Sequence, residues 1–175
     1  ATGRRSALTE AASLAGEIGD TERSLAAWNA LIEADPGDVE ALSAVVDLLA
    51  GAERYDELAA ALERRAAAPV LPEQRRADLA RAAEIHEEWL DAPERAVELW
   101  ERLIADFGPR ADAIARLDRL LEAAGRTDEL LGILRGVVDD QYATVSRRLA
   151  RIAELAARDP ERRREALDHY ARALA

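Results

Sequence analysis

Internal repetition is the strongest constraint this chain places on its own fold. The stretch DTERSLAAWNALIEADPG, from Asp20, aligns with APERAVELWERLIADFGP, from Ala92. Trp28 falls on Trp100, Leu31 on Leu103 and Ile32 on Ile104. A third copy, RREALDHYARALA, puts Tyr170 in the tryptophan place. Two shorter relatives lie between them, AERYDELAAALERRAA from Ala52 and AGRTDELLGILRGVV from Ala124. The five segments share an anchor position at Ser24, Leu58, Ala96, Leu130 and Ala166, with spacings of 34, 38, 34 and 36 residues. A unit of this length is one supersecondary element, and it cannot bury its apolar face alone. Neighbouring units must stack to cover it.

The periodicity inside each unit is helical. Ala96, Val97, Trp100, Leu103, Ile104 and Phe107 fall on one stripe, as do Leu130, Leu131, Leu134, Val137 and Val138. Ala166, Leu167, Tyr170, Ala173 and Leu174 form a third. A second helix precedes each anchor, shown by Leu42, Val45, Val46 and Leu49, and by Ile114, Leu117 and Leu121. In the odd units this helix carries smaller residues: Leu8, Ala11, Ala12 and Ala15; Leu79, Ala82, Ala83 and His86; Leu149, Ile152, Ala153 and Ala156. Small side chains suit the inner, closely packed helix of a pair. Pro36-Gly37 and Gly108-Pro109 break the chain after outer helices, and Pro69 to Pro72 reads as the longest non-helical gap. Asp91 and Asp159 are expected to cap the helices beginning near Pro93 and Pro160. No alternating strand pattern occurs, so the expectation is ten helices in five pairs.

Charge and composition narrow the partners. The 175 residues carry a net charge of −11, with 49% hydrophobic and 4% aromatic residues. Residues 1–140 hold 16 arginines and 30 acidic residues, and 141–175 hold 8 and 5, so the acidity lies in the body and the tail is basic. A nucleic-acid partner is disfavoured, because phosphates would be repelled. No stretch approaches the roughly 18–20 apolar residues of a membrane span. With no cysteine there is no disulfide and no thiolate metal site. There is also no methionine, so Ala1 is not a translation start and a preceding segment is expected, which leaves export open beside a cytoplasmic location.

The pattern Gly19-Asp20, Ser24, Trp28, Leu31 and Pro36 resembles the second half of a tetratricopeptide repeat. Gly125, Leu130, Leu134 and Val137 fit the same pattern without its aromatic and proline. The first helix of each unit lacks the Trp, Gly and Tyr of the family consensus, and Leu58 and Leu130 replace the usual small anchor. The resemblance spans roughly residues 5–175 and implies an all-α, right-handed α-solenoid of about five antiparallel helix pairs. It implies one repeat domain over 1–175, with units near 5–36, 37–70, 71–108, 109–140 and 141–175.

An enzyme is not expected, and no cofactor or metal is. His86 begins His-Glu-Glu-Trp-Leu, where a zinc-peptidase helix would need histidine in place of Leu90. His86 is therefore expected to pack against a neighbouring helix, and His169 to be exposed. Gly132 and Gly136, one turn apart, imply either close helix packing or a weak helix. Repeats of this family line a concave groove with the first helix of each pair. Carried over by position, the groove candidates are Glu40, Asp47, Glu84, Glu87, Asp112, Arg119, Glu122, Arg147 and Glu154. Most are acidic, and the family's Lys, Asn and Arg clamp for a C-terminal carboxylate is absent. The implied function is a scaffold or adaptor that binds a partner protein through a basic segment. The alternatives are a self-assembling segment of a longer repeat protein, or the docking module of a larger enzyme. The last helix ends with Tyr170 and Leu174 on its apolar face and no polar closing helix after it. The chain is therefore expected to continue, or to self-associate through that helix.

Overall fold

The computed structural model describes residues 2–136 and 142–174, with side chains described for 3–136 and 147–174. The helices are α1 (Thr2–Glu17), α2 (Thr21–Ala34), α3 (Val39–Gly51), α4 (Tyr55–Ala67), α5 (Pro72–Glu88), α6 (Pro93–Phe107), α7 (Ala111–Ala123), α8 (Thr127–Gly136), α9 (Tyr142–Ala157) and α10 (Arg163–Leu174). A 3₁₀ turn, Pro160–Arg162, leads into α10. No strand occurs among the described residues. The chain divides into two compact units, Ala1–Leu103 and Ile104–Ala175.

Each helix start and stop has a local cause. Asp20 accepts from the Arg23 N–H at the head of α2, and Asp38 accepts from the Ala41 N–H at the head of α3, both at 3.1 Å. Pro72 opens α5, where its missing N–H costs nothing. Between the two helices of each of the first four pairs, one residue turns left-handed, five positions before the anchor. Gly19, Glu53, Asp91 and Gly125 hold this place, with φ of 76°, 55°, 48° and 69°. In three of these turns the N–H one residue further on reaches back into the last turn of the helix: Asp20 to Ala15 at 2.8 Å, Arg54 to Leu49 at 3.1 Å, and Arg126 to Leu121 at 2.8 Å. Asp91, read from the sequence as a cap, is therefore a turn residue, one place too far from Pro93 to be the cap. Asp159 does cap, accepting from the Glu161 N–H at 2.9 Å. The gap before Pro72, residues 68–71, is the same length as those at 35–38 and 89–92, so among the described residues it does not stand out.

In the first unit α1 packs on α2, α2 on α3, α3 on α4 and α4 on α5. In the second, α7 packs on α8, α8 on α9 and α9 on α10. Sequence neighbours are thus spatial neighbours, as short connections between helices require. The anchors are buried, and Ser24 donates to the Ala12 carbonyl at 2.8 Å. Leu42, Leu49, Leu79 and Ile85 fill the first unit, and Leu117, Leu121, Leu130 and Ile152 the second. Several expected stripe positions differ: Ala11, Leu167, Tyr170 and Leu174 are exposed, and Leu8, Ile104, Phe107 and Ile114 half-buried. Gly132 has no atom within 4 Å of where a Cβ would stand, so it marks a weak point in α8 rather than a close helix approach. Val137 and Val138 lie outside the described residues.

Ion pairs link equivalent places in successive repeats. The residue four before the anchor pairs with the residue two before the preceding anchor. Arg54 meets Glu22 at 2.6 Å and Arg162 meets Asp128 at 2.5 Å. A second rung joins Arg95 to Glu63 and, with the charges exchanged, Arg135 to Glu165. Each exposed rung adds little stability, but together they fix register.

Candidate functional site

A groove of about 400 Å³ lies in the first unit. Val46 and Ala50 of α3 form one wall, and Gln74, Ala77, Asp78 and Arg81 of α5 the other. Tyr55, Leu58, Leu62 and Arg65 of α4 form its floor, with Glu53 at the turn. The floor is apolar because Leu58 and Leu62 sit on the buried stripe of α4. The polar end is a fixed cluster. Asp78, 2% exposed, accepts from Arg65 at 2.9 and 2.6 Å and from Gln74 at 2.8 Å. Beside the groove, Trp89 stacks on Tyr55, their ring centroids 4.2 Å apart, and Trp89 remains 55% exposed.

None of the four candidates of the first unit lines this groove, although they lie on the two helices, α3 and α5, that contribute to it. Glu40 and Asp47 are exposed on α3, and Glu84 and Glu87 are half-buried on α5. Glu40 pairs with Arg5 of α1 at 3.2 Å, and Glu84 with Arg81 at 3.2 Å. Arg81 is itself a groove residue, so Glu84 touches the groove's lining through this pair. Arg5 also binds Asp38, and this hydrogen bond holds the Asp38 carboxyl below the usual carboxylate range. The Ala41 and Glu40 N–H groups lower it further, while burial opposes.

The candidates of the second unit meet their own arginines. Arg151 of α9 binds Asp118 at 2.7 Å, Glu122 at 2.5 Å and Glu154 at 2.9 Å. Arg158 binds Glu122 at 2.8 Å and Glu154 at 3.3 Å. Arg158 and then Arg151 therefore hold the Glu122 carboxyl below its usual range, and the carboxylates around it hold Arg151 fully charged. Asp112 caps the Ala113 N–H at 2.9 Å and approaches Arg110 at 3.6 Å. Arg119 and Arg147 are exposed.

The two units differ in charge. Residues 1–103 hold 11 arginines against 22 acidic residues, and residues 104–175 hold 13 against 13. The whole net charge of −11 therefore belongs to the first unit.

His86 packs as expected, its Nε2 3.4 Å from Glu63 Oε1 on α4. His169, expected at the surface, has a side chain only 13% exposed and lies 3.5 Å from Glu165, one turn back on α10. No group of metal-binding side chains occurs among the described residues. No described helix is long and apolar enough to cross a membrane. Sequence reasoning missed the Arg65–Asp78–Gln74 cluster. Its one visible signal was Asp78 beside Leu79 on the buried face of α5. Arg65, 13 residues earlier, gave none.

Helices packed on their sequence neighbours within each unit define an all-α helical-repeat protein. Solved structures share this fold. The chain matches a crystal structure of MamA protein at TM-score 0.50 and 16% identity, covering 99% of this chain and 92% of that one. A second MamA structure matches at TM-score 0.50 and 17% identity, covering 93% and 92%. YrrB, described as a TPR protein with an unusual peptide-binding site, aligns at TM-score 0.49 and 19% identity, covering 93% and 82%. The fold is that of tetratricopeptide-like repeats. No protein-family profile and no curated protein matches the sequence.

Proposed function

We propose that this protein is an interaction scaffold that holds an extended, basic segment of a partner protein in the α3–α4–α5 groove. Helical-repeat arrays present long surfaces for contact, which supports a binding role. The observation that carries the reading is a groove with an apolar floor in the unit that holds the entire net negative charge. Apolar side chains of the partner pack on Ala50, Tyr55 and Ala77, the lining residues that solvent reaches. Its cations are drawn by the net negative charge of this unit, with Asp47, Glu84 and Glu87 on α3 and α5 as the candidate contacts. The second unit is a weaker choice for such a partner, because its 13 arginines balance its 13 acidic residues.

The test is a titration with a peptide of alternating arginine and leucine, followed by NMR chemical shifts. Shifts gathered on Val46, Tyr55, Leu58 and Ala77 are expected, with affinity that falls as salt rises. Asp47→Arg and Glu84→Arg are each expected to weaken binding roughly threefold to tenfold. Shifts spread over α7 and α9, or affinity unchanged in both variants, would refute the site.

A further inference from the structure

We propose that the stacked rings of Tyr55 and Trp89 form an arginine-binding platform. A guanidinium of the partner protein lies on the open face of Trp89, drawn there by the carboxylates of Glu53 and Asp91. The proposal rests on the groove reading above and names the cation that the basic segment must carry.

The first observation is that repeat packing does not call for this pair of rings. In the other repeats the place of Tyr55, three before the anchor, holds Thr21, Pro93, Thr127 and Arg163. The place of Trp89, seven before the anchor, holds Glu17, Gly51, Ala123 and Asp159. Trp28 and Trp100 occupy a place that recurs in the repeat, and they are 8% and 4% exposed. Trp89 is 55% exposed. Tyr55 begins α4, Trp89 ends α5, and the packing of these two helices brings the rings to 4.2 Å and within 16° of parallel. One face of the indole is thus held by Tyr55, and much of the rest meets water. A ring already fixed in place loses little freedom when a ligand stacks on it.

The second observation is uncompensated charge beside the rings. Two of the left-handed turns use Gly19 and Gly125, but the two turns next to this pair use Glu53 and Asp91. Glu53 lies two residues before Tyr55 and lines the groove with it, and Asp91 lies two residues after Trp89. Both are exposed, and among the described residues neither has an ion-pair partner. Glycine would hold this backbone at less cost, so each turn carries a negative charge at the expense of stability. In a unit with 11 arginines against 22 acidic residues, the platform repels phosphate-bearing occupants and attracts cations.

The rings then choose between cations. Carboxylates attract lysine and arginine alike. A guanidinium is planar and weakly hydrated, so it stacks on a flat indole, whereas an ammonium holds its water more strongly.

Titrating the full chain with the arginine–leucine peptide and with a lysine–leucine peptide of equal length tests this. The arginine peptide is expected to bind roughly threefold to tenfold more tightly. The Trp89 indole N–H signal, identified by its loss in Trp89→Leu, is expected to shift. Trp89→Leu is expected to lower the arginine peptide to the affinity of the lysine peptide, and Trp89→Phe to keep part of the preference. Circular dichroism checks that both variants fold. Glu53→Gly and Asp91→Gly are each expected to weaken both peptides roughly twofold to fivefold. These two variants are expected to be more stable than wild type, so unfolding does not account for that loss. Equal affinity for the two peptides, with shifts still on Val46 and Ala77, would overturn the platform and leave the groove standing. Arginine-dependent shifts on Tyr55 and Trp89, with none on Val46 and Ala77, would uphold the platform and overturn the groove. An arginine preference that survives Trp89→Leu, or binding of neither peptide, would overturn the proposal.

Discussion

Replacing Asp78 by alanine tests how the first unit is held together. Asp78 is almost fully buried, and the Arg65 side chain is 12% exposed. The substitution removes three hydrogen bonds to a charged acceptor and leaves a guanidinium largely out of water. Breaking a buried pair from one side costs about 3–5 kcal/mol. Arg65 also lines the groove and can turn partly toward solvent, which sets the expectation at the low end, about 3 kcal/mol. Asp78→Asn keeps the shape and one acceptor and should cost about 2 kcal/mol. Replacing both Arg65 and Asp78 by leucine removes the uncompensated charge and should restore most of the loss. Urea unfolding gives the free energies. Hydrogen exchange should place the weakened protection in α4 and α5, since repeat proteins can lose stability locally. A cost below about 1 kcal/mol for Asp78→Ala, or a double variant no more stable than the single one, would refute this account of the cluster.

Other consequences are testable in the same way. Glu53 and Asp91 hold left-handed backbone that glycine adopts freely, so Glu53→Gly and Asp91→Gly should each raise stability by about 0.5–1 kcal/mol in thermal unfolding. Gly132 lies inside α8 with open space around it, so Gly132→Ala should stabilise by up to about 1 kcal/mol and raise protection of α8 amides. The Asp38 carboxyl is depressed in the folded state, so the unfolded chain takes up the proton first as pH falls. Its contribution is complete above the ordinary carboxylate value and lost as pH drops through the folded one. Arg5→Ala should therefore destabilise at neutral pH, and urea titrations near pH 2 should show little difference from wild type.

The repeat and its period were legible because packing between equivalent helices imposes the same residue types at the same offsets. Trp28, Trp100 and the buried anchors showed this directly. The turns were only half legible. Gly19 and Gly125 announced left-handed residues, whereas Glu53 and Asp91 hold the same conformation with side chains that do not signal it. The histidines divided likewise. His86 replaced a small inner residue and packed as expected, while the enclosure of His169 depends on elements its local pattern does not reveal.

Apolar spacing alone determined that this chain is made of paired helices that need neighbours, because helix periodicity and burial are written residue by residue. It also placed acidic side chains on the first helices. Only the tertiary structure decided which carboxylates keep an open field and which are answered by an arginine some thirty residues away. Arg151 between Asp118 and Glu122 is the clearest case. Distance between charges depends on how helices meet, and one chain's order of residues does not carry that. The same holds for the groove: its apolar residues were visible as core, but the gap left between α3 and α5 exists only once the hairpins are packed.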